Sequence, residues 1–131
     1  MNKELRSILL IDDNPDDNFF HERAIRKVNS ESVVVAKDSG FDALEYLKST
    51  ECHTDLIFLD INMPKMNGWE FLVQYGELSE DLKCDTLIIM LTTSDNIDDL
   101  EKARISSSVT DFITKPLTKE KMDSICKRYF S

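Results

Sequence analysis

The chain has 131 residues, of which 41% are hydrophobic and 31% are charged, and its formal net charge is -9. This length suits one domain with a single hydrophobic core, and the composition is typical of an ordinary folded protein. The acidic balance argues against direct binding of nucleic acid, because phosphate groups attract a basic face. It favours a protein that holds a metal cation or docks against a basic partner surface.

The sequence predicts a cytoplasmic protein without a membrane segment. No stretch has the apolar length of a membrane span, and residues 1–6 lack the features of a signal peptide. The cysteines are odd in number and have no CxxC spacing, which favours reduced thiols over a disulfide framework or a zinc site. His21 and His53 are isolated in their segments, so we expect both to be solvated surface residues.

A short polar turn separates the first strand from the first helix. Residues 7–11 form an apolar run that predicts the strand, and Asp12 and Asp13 follow it directly. Asn14 and Pro15 predict the start of the helix, because asparagine caps free backbone amides and proline suits the first helical position.

The first helix carries acids in its first turn. Asp16 and Asp17 would complement the positive end of the helix dipole. Apolar residues then recur at helical spacing up to about residue 28, which predicts one apolar face: Phe20, Ala24, Ile25 and Val28. Residues 33–35, three valines, predict the second strand. Ser39 is suited to cap the second helix, which has three apolar residues on one face: Phe41, Leu44 and Leu47.

The third strand is the most informative element. The unbroken apolar run of residues 56–59 predicts a strand buried on both faces, and it ends in Asp60. Pro64 and Gly68 break any regular continuation. We expect the third helix to begin near Asn67 and to direct three residues inward: Trp69, Leu72 and Val73.

The last part of the chain repeats the alternation. Residues 86–91 predict an apolar fourth strand, which ends in Thr92, and residues 95–105 predict a short acidic helix. Residues 111–114 predict a fifth strand, stopped by Lys115 and a proline. A final amphipathic helix follows, with its apolar stripe at i, i+3, i+4 and i+7: Met122, Ile125, Cys126 and Tyr129.

Strand and helix thus alternate five times, which predicts an α/β fold. We expect one domain over residues 1–131, without an output domain, built as three layers around a doubly wound, five-stranded parallel sheet. The strand order 2-1-3-4-5 of flavodoxin-like folds would place the apolar strands one, three and four in the middle. The more mixed strands two and five would then form the edges.

Chemistry-bearing side chains follow four of these strands: Asp12 and Asp13, Asp60, Thr92, and Lys115. The carboxyl ends of parallel strands share one sheet edge, where α/β folds bind ligands. Crowded carboxylates repel one another unless a cation lies among them, and hard oxygen ligands favour Mg²⁺. The lysine and the threonine could bind oxygens of a phosphoryl group, with Asp60 as the nucleophile that forms an aspartyl phosphate.

The same motifs carry a family resemblance: Leu10-Ile-Asp-Asp13, Leu59-Asp60 with Met63-Pro64 and Gly68, Leu91-Thr92, and Lys115-Pro116. Each is weak alone, but all four occur in order at strand ends. The chain resembles the receiver domain of two-component response regulators over nearly its whole length.

The resemblance implies a role for each site residue. Asp60 matches the phosphoacceptor, and Mg²⁺ (or Mn²⁺) would be held by four groups: Asp12, Asp13, Asp60 and the backbone carbonyl of Asn62. Thr92 matches the switch hydroxyl. Lys115 matches the invariant lysine, followed by a cis peptide bond to Pro116. Phe112 occupies the position of the switch aromatic, although an aromatic on an edge strand is as often simple packing.

The implied function is a signalling switch rather than a turnover enzyme, with loss of the phosphoryl group by self-dephosphorylation. A sensor histidine kinase or a phosphotransfer protein would donate the group. The surface of helix four, strand five and helix five would then change for a downstream protein target. No nucleic acid or membrane is implied as a partner, and we expect a monomer or a weak dimer.

Other functions stay open at this point. The domain could be a phosphorelay intermediate that passes the group to another histidine protein, or a phosphorylation-independent docking module. An aspartyl-nucleophile phosphatase needs an acid two residues after the nucleophile, where this chain has Asn62. A flavodoxin-like cofactor binder needs a Ser/Thr/Gly-rich loop, and residues 12–15 would repel a phosphate instead. Ser108 replaces a glycine usual in receivers, and a left-handed backbone there would cost about 1 kcal/mol.

Overall fold

The computed structural model describes residues 5–49, 54–79, 86–92, 101 and 109–130. These residues contain five strands: β1 (Ser7–Ile11), β2 (Val33–Lys37), β3 (Leu56–Asp60), β4 (Leu87–Thr92) and β5 (Asp111–Thr114). They also contain four helices: α1 (Pro15–Val28), α2 (Gly40–Ser49), α3 (Gly68–Gly76) and α4 (Lys119–Tyr129). The predicted helix over residues 95–105, apart from residue 101, lies outside the described part of the chain, as do His53 and Ser108. Among the described helices, none has the length and apolar character to cross a bilayer.

All strand pairs in the described sheet are parallel, and the order is β2-β1-β3-β4-β5. The predicted fold class and strand order are therefore confirmed. Every residue of β3 is buried, whereas each residue of β2 is at least partly exposed. This gradient follows from position, because a central strand of a doubly wound sheet is covered on both faces and an edge strand is not.

Two hydrophobic clusters lie on opposite faces of the sheet. Successive strand residues point to opposite sides, so Leu9 and Ile57 belong to one cluster and Ile8 and Phe58 belong to the other. Helices α2 and α3 contribute side chains to the first cluster, and α1 and α4 contribute to the second. The result is the predicted three-layer arrangement.

The helix starts are formed by the capping residues that the sequence offers. The Asn14 side chain accepts hydrogen bonds from the backbone amides of residues 16 and 17, with Pro15 at the first helical position. Asn67 and Glu70 form a complete capping box at the start of α3. The Ser39 hydroxyl accepts a hydrogen bond from an amide in the first turn of α2.

Three apolar residues that were expected on inward faces are exposed instead: Phe20 (50%), Phe41 (53%) and Val73 (62%). Each of these residues is next in sequence to a buried residue of its helix, which turns its side chain about 100° away from the buried stripe. In all three helices the buried stripe begins with a glycine or an asparagine. The stripe of α1 starts at Asn18, that of α2 at Gly40 and that of α3 at Gly68. The prediction was wrong at these positions because hydrophobic periodicity gives no weight to glycine or asparagine.

His21 is also buried, with 2% of its surface exposed, so its expected place on the solvated surface is wrong. It belongs to the same α1 stripe as Asn18, Ala24 and Ile25, and therefore faces the sheet. Isolation in the sequence gives no information on burial, whereas the position of His21 three residues after Asn18 places it on the packed face of the helix.

The return of the chain from β3 into α3 leaves no room for a side chain at Gly68. A Cβ atom there would lie 2.8 Å from the backbone oxygen of Asp60 and 3.0 Å from Cα of Ile61. The Gly68 amide donates a 2.8 Å hydrogen bond to the Ile61 carbonyl, which holds the loop against the end of β3. The position of Asp60 thus depends on a glycine eight residues later.

Replacing Gly68 with alanine is expected to lower the free energy of unfolding by about 2 kcal/mol, because the added methyl group would overlap rigid backbone. Gly76 is the matched control: a Cβ atom there meets nothing within 4 Å. Gly76→Ala should therefore be neutral or stabilise by about 0.5 kcal/mol, through reduced freedom of the unfolded chain. Urea titrations of both variants measure the difference, and equal stabilities would contradict the assigned role of Gly68.

Candidate functional site

The strand register brings the predicted site residues to one edge of the sheet. Ile11 of β1 pairs with Leu59 of β3, so the next residues, Asp12 and Asp60, are neighbours. Thr92, the last residue of β4, pairs with Thr114 of β5, after which comes Lys115. Residues that are up to 103 positions apart in the sequence therefore meet through parallel pairing.

Three carboxylates form a close cluster at this edge. One oxygen each from Asp12, Asp13 and Asp60 lies within 4.8 Å of the other two. Asp12 and Asp60 are buried, with 3% and 5% of their surfaces exposed, while Asp13 is more open. Two amides hold Asp12 in place. The backbone N–H of Asn14 donates to Oδ1 of Asp12 (3.0 Å), and Nδ2 of Asn18 donates to the backbone carbonyl oxygen of Asp12 (2.9 Å).

The ammonium group of Lys115 enters the same cluster from the end of β5. Its Nζ lies 2.6 Å from Asp12 Oδ2, 2.9 Å from Asp17 Oδ2 and 3.4 Å from Asp60 Oδ1. Only 10% of the lysine side chain is exposed, so these ion pairs are largely screened from water. The peptide bond between Lys115 and Pro116 is cis.

The electrostatics of the cluster shift the two central groups. Burial, and after it the charge of Asp12, raises the pKa of Asp60, and Lys115 partly offsets both, so that the pKa lies at about 6. For Lys115, burial lowers the pKa, but hydrogen bonds to Asp12 and Asp17 and the charge of Asp60 outweigh it, so the pKa lies above its ordinary value. The lysine is therefore charged at neutral pH, while Asp60 is close to its titration range.

Two residues near the site were missed by sequence reasoning. Asp17 was expected only to complement the helix dipole, yet it contacts Lys115 directly. His21 was expected on the surface, yet burial and the charge of Lys115 lower its pKa, which keeps the imidazole neutral at pH 7. His21 had a positional signal, because it follows Asp17 by four residues and so lies on the same side of α1, whereas no sequence signal indicated the contact of Asp17 with Lys115.

The remaining predicted residues occupy separate places. Asn62 is exposed on the loop after β3, and its role as a metal ligand through the backbone carbonyl stays a prediction. Thr92 ends β4, but its side chain lies outside the described part of the structure. Phe112 is partly buried on β5 and packs against the cluster on the α2 and α3 face. Its role as a switch aromatic also stays a prediction.

The donor set fits a small divalent cation. All three groups offer carboxylate oxygens, which are the hard ligands that Mg²⁺ prefers, and the partly open side at Asp13 leaves room for the waters that this ion retains. The charge of buried Asp12 contributes to the raised pKa of Asp60, which is a repulsion that a cation would relieve. An acidic cluster that could bind a metal is thus present.

Comparison with known proteins identifies the family. The family model of the response regulator receiver domain matches residues 8–127, and the chain belongs to this family. Receiver domains are signalling switches rather than classical enzymes, and they interact with histidine kinases or phosphotransfer proteins.

Individual relatives agree with this assignment. Protein PilG of Pseudomonas aeruginosa is 34% identical over 115 residues, which make up 88% of this chain and 80% of the relative. The sensor histidine kinase CheAY of Helicobacter pylori is 29% identical over 122 residues, but the match spans only 14% of that larger protein. The crystal structure of a two-component response regulator from Cytophaga hutchinsonii superposes with a TM-score of 0.83 at 28% identity, over 96% of this chain and 97% of the other.

Asp60→Asn is expected to stabilise the metal-free protein by about 2 kcal/mol near pH 7.5. Because the folded state holds the Asp60 proton with a pKa of about 6, above its ordinary value of 3.8, the wild type loses stability as the pH rises through this range. The variant cannot titrate there, so its advantage should shrink towards about pH 4. Urea titrations in EDTA measure both proteins.

Added Mg²⁺ is the control for this titration, because a cation among the acids should remove most of the difference near neutral pH. If the two proteins were equally stable at both ends of the pH range, the electrostatic description of Asp60 would be wrong.

Proposed function

We propose that this receiver domain is a phosphorylation-activated switch in which Asp60 accepts a phosphoryl group from a phosphohistidine. The donor would be a histidine kinase or a phosphotransfer protein. The observation that carries the proposal is the single pocket in which buried Asp60 lies within reach of two further carboxylates and the Lys115 ammonium. Nucleophile, cation ligands and a fixed positive charge are the parts that phosphoryl transfer requires.

In the transfer step, a carboxylate oxygen of Asp60 forms a bond to phosphorus while the bond between phosphorus and the donor imidazole nitrogen breaks. The electron pair of that bond stays on the imidazole nitrogen, which takes up a proton from solvent. With a pKa of about 6, Asp60 is largely in the nucleophilic, ionised form at pH 7. Nothing else in the pocket needs to become covalently modified.

The remaining residues would position and neutralise charge. We assign Asp12, Asp13, Asp60 and the backbone carbonyl of Asn62 as the groups that would hold Mg²⁺ or Mn²⁺. A bound divalent cation supplies charge neutralisation at the transferring oxygens. Lys115 would donate a hydrogen bond to a phosphoryl oxygen, and the hydroxyl of Thr92 would donate another. Thr92 is the last residue of β4 and Lys115 follows β5, and both strands end at this edge of the sheet.

The signal would be passed to partners through the surface of β5 and α4, the fifth strand and the last helix of the chain. Phe112, the proposed switch aromatic, is the second residue of β5. The first residue of this strand, Asp111, accepts hydrogen bonds from the side chains of Tyr129 (2.9 Å) and Arg128 (3.1 Å) of α4. A change at the lysine end of β5 therefore has a short path to the surface of α4. A downstream protein would recognise the altered surface, with the chain as a monomer or weak dimer in the cytoplasm.

Slow hydrolysis of the acyl phosphate would return Asp60 to its original state, which makes the domain a timed switch rather than a turnover enzyme. A phosphatase would need an acid two residues after the nucleophile, and Asn62 cannot donate a proton in that way. Asn62 therefore counts against a phosphatase that turns over substrate.

Acetyl phosphate with Mg²⁺ is expected to add one phosphoryl group to the protein, measured by intact mass spectrometry. Asp60→Asn should abolish the gain because it removes the nucleophile. Asp13→Ala should reduce the rate by about tenfold or more through loss of a metal ligand.

Asp38→Asn is the matched control for this experiment, because Asp38 also follows a strand but is exposed and lies outside the acidic cluster. It should label like the wild type. Retained labelling of the Asp60→Asn protein at a single site would show that another residue is the nucleophile.

Lys115→Ala is expected to keep part of the labelling but to lose the change at β5 and α4. The reason is that the lysine joins the pocket to the end of β5, while the nucleophile itself remains. Amide hydrogen exchange with and without beryllofluoride, a phosphoryl mimic, measures the response. The exposed Lys119 provides a control variant, Lys119→Ala, which should respond normally. A full response in Lys115→Ala would contradict the coupling role.

A further inference from the structure

The Lys115 ammonium lies nearer to helix α1 than to the proposed phosphoacceptor. Its two shortest contacts are to Asp12 (2.6 Å) and Asp17 (2.9 Å), and the contact to Asp60 is longer, at 3.4 Å. The first of these partners is also a proposed metal ligand. A cation that takes Asp12 would therefore remove the closest partner of the lysine.

Asp17 is held where it can replace that partner. It lies in the first turn of α1, and its amide donates to the Asn14 cap at 3.3 Å. The next residue, Asn18, is buried against the carbonyl of Asp12, which fixes the rotation of the helix. The Asp17 side chain is 39% exposed, and it does not belong to the cluster of three carboxylates. It therefore contacts the lysine without being one of the proposed metal ligands.

The helix dipole alone does not account for this residue. Asp16 also lies in the first turn of α1 and offers the same charge to the helix start, but it is exposed and forms no ion pair among the described contacts of Lys115. The two adjacent acids thus differ mainly in their relation to the lysine. That difference provides a matched comparison.

We propose that Asp17 is a positioning residue that retains the Lys115 ammonium when Asp12 binds a divalent cation, and that it competes with the phosphoryl group for the same ammonium. The inference rests on the proposed function, because it assigns to Lys115 the contact with the phosphoryl oxygens. It adds a residue outside the motifs that mark the family in this sequence.

Loss of the Asp17 charge should have opposite effects on the affinities for the cation and for the phosphoryl mimic. Without the charge of Asp17, the lysine would hold Asp12 more strongly, so the cation would bind less tightly. Once the cation is bound, however, the lysine would be freer to turn to an anion on Asp60, so a phosphoryl mimic would bind more tightly. General damage to the site would instead weaken both ligands.

The experiment compares Asp17→Asn with Asp16→Asn by isothermal titration calorimetry, using MgCl₂ alone and then beryllofluoride at saturating Mg²⁺. Relative to Asp16→Asn, the Asp17→Asn protein should bind Mg²⁺ about three- to tenfold more weakly and beryllofluoride about three- to tenfold more tightly. Circular dichroism of both variants verifies that α1 remains folded.

A second pair of variants tests whether the effect passes through the lysine. In a Lys115→Gln background, Asp17→Asn and Asp16→Asn should have Mg²⁺ affinities within about twofold of each other, because the group that Asp17 positions is gone. Equal Mg²⁺ affinities of Asp17→Asn and Asp16→Asn in the wild-type background would overturn the inference. The inference would also be overturned if the Mg²⁺ affinities of the two variants differed as much in the Lys115→Gln background as in the wild type. A third contradicting result would be that Asp17→Asn weakens, or strengthens, the binding of both Mg²⁺ and beryllofluoride.

Failure of the proposed function gives a different result. If the wild type bound no beryllofluoride at saturating Mg²⁺, or if Asp60→Asn bound it equally well, the phosphoacceptor assignment would be wrong. The Mg²⁺ titrations need no phosphoryl chemistry, so they still decide whether Asp17 positions the lysine.

Discussion

Repulsion among carboxylates at one end of the sheet is the constraint on which the site depends. Asp12, Asp17 and Asp60 contact the Lys115 ammonium group, and Asp13 lies in the same group of acids. One cation cannot neutralise four anions, and burial of two of the acids makes the excess charge more costly than it would be in water. Burial, and after it the charge of Asp12, raises the pKa of Asp60 to about 6. An acidic cluster of this kind could bind a cation, which would relieve the repulsion.

The fold keeps these charges together by burying what lies behind them. The apolar strands β1 and β3 are packed on both faces, and their register fixes Asp12 beside Asp60. The tight contact of Gly68 with the backbone of β3 then sets the loop that follows Asp60. Because hydrophobic burial is worth roughly 25 cal/mol per Å² of apolar surface, strands of this size can outweigh a locally unfavourable cluster of acids. The core thus stabilises a site that would not assemble on its own.

The parts of the molecule that were predicted correctly depend on local patterns. Apolar runs marked the strands, Asn14 and Asn67 marked two helix starts, and the ranking of strands by apolar character matched the sheet order. The inward faces of the helices were less predictable, because Gly40 and Gly68 lie on them without any hydrophobic signal. The contact between Asp17 and Lys115 joins residues 98 positions apart and depends on the path of a flexible side chain, which no pattern in the sequence specifies.

The place of Lys115 in the sheet explains why a change in its contacts could have consequences elsewhere. It follows β5, a four-residue strand at the edge of the sheet that pairs only with β4 among the described strands. An edge strand has fewer backbone hydrogen bonds to hold its position than a central one, so a force applied at its end is less strongly resisted. At the other end of β5, Asp111 is bonded to two side chains of α4. An edge strand therefore connects the charged pocket to a surface helix, whereas Asp60 itself ends β3, in which every residue is buried.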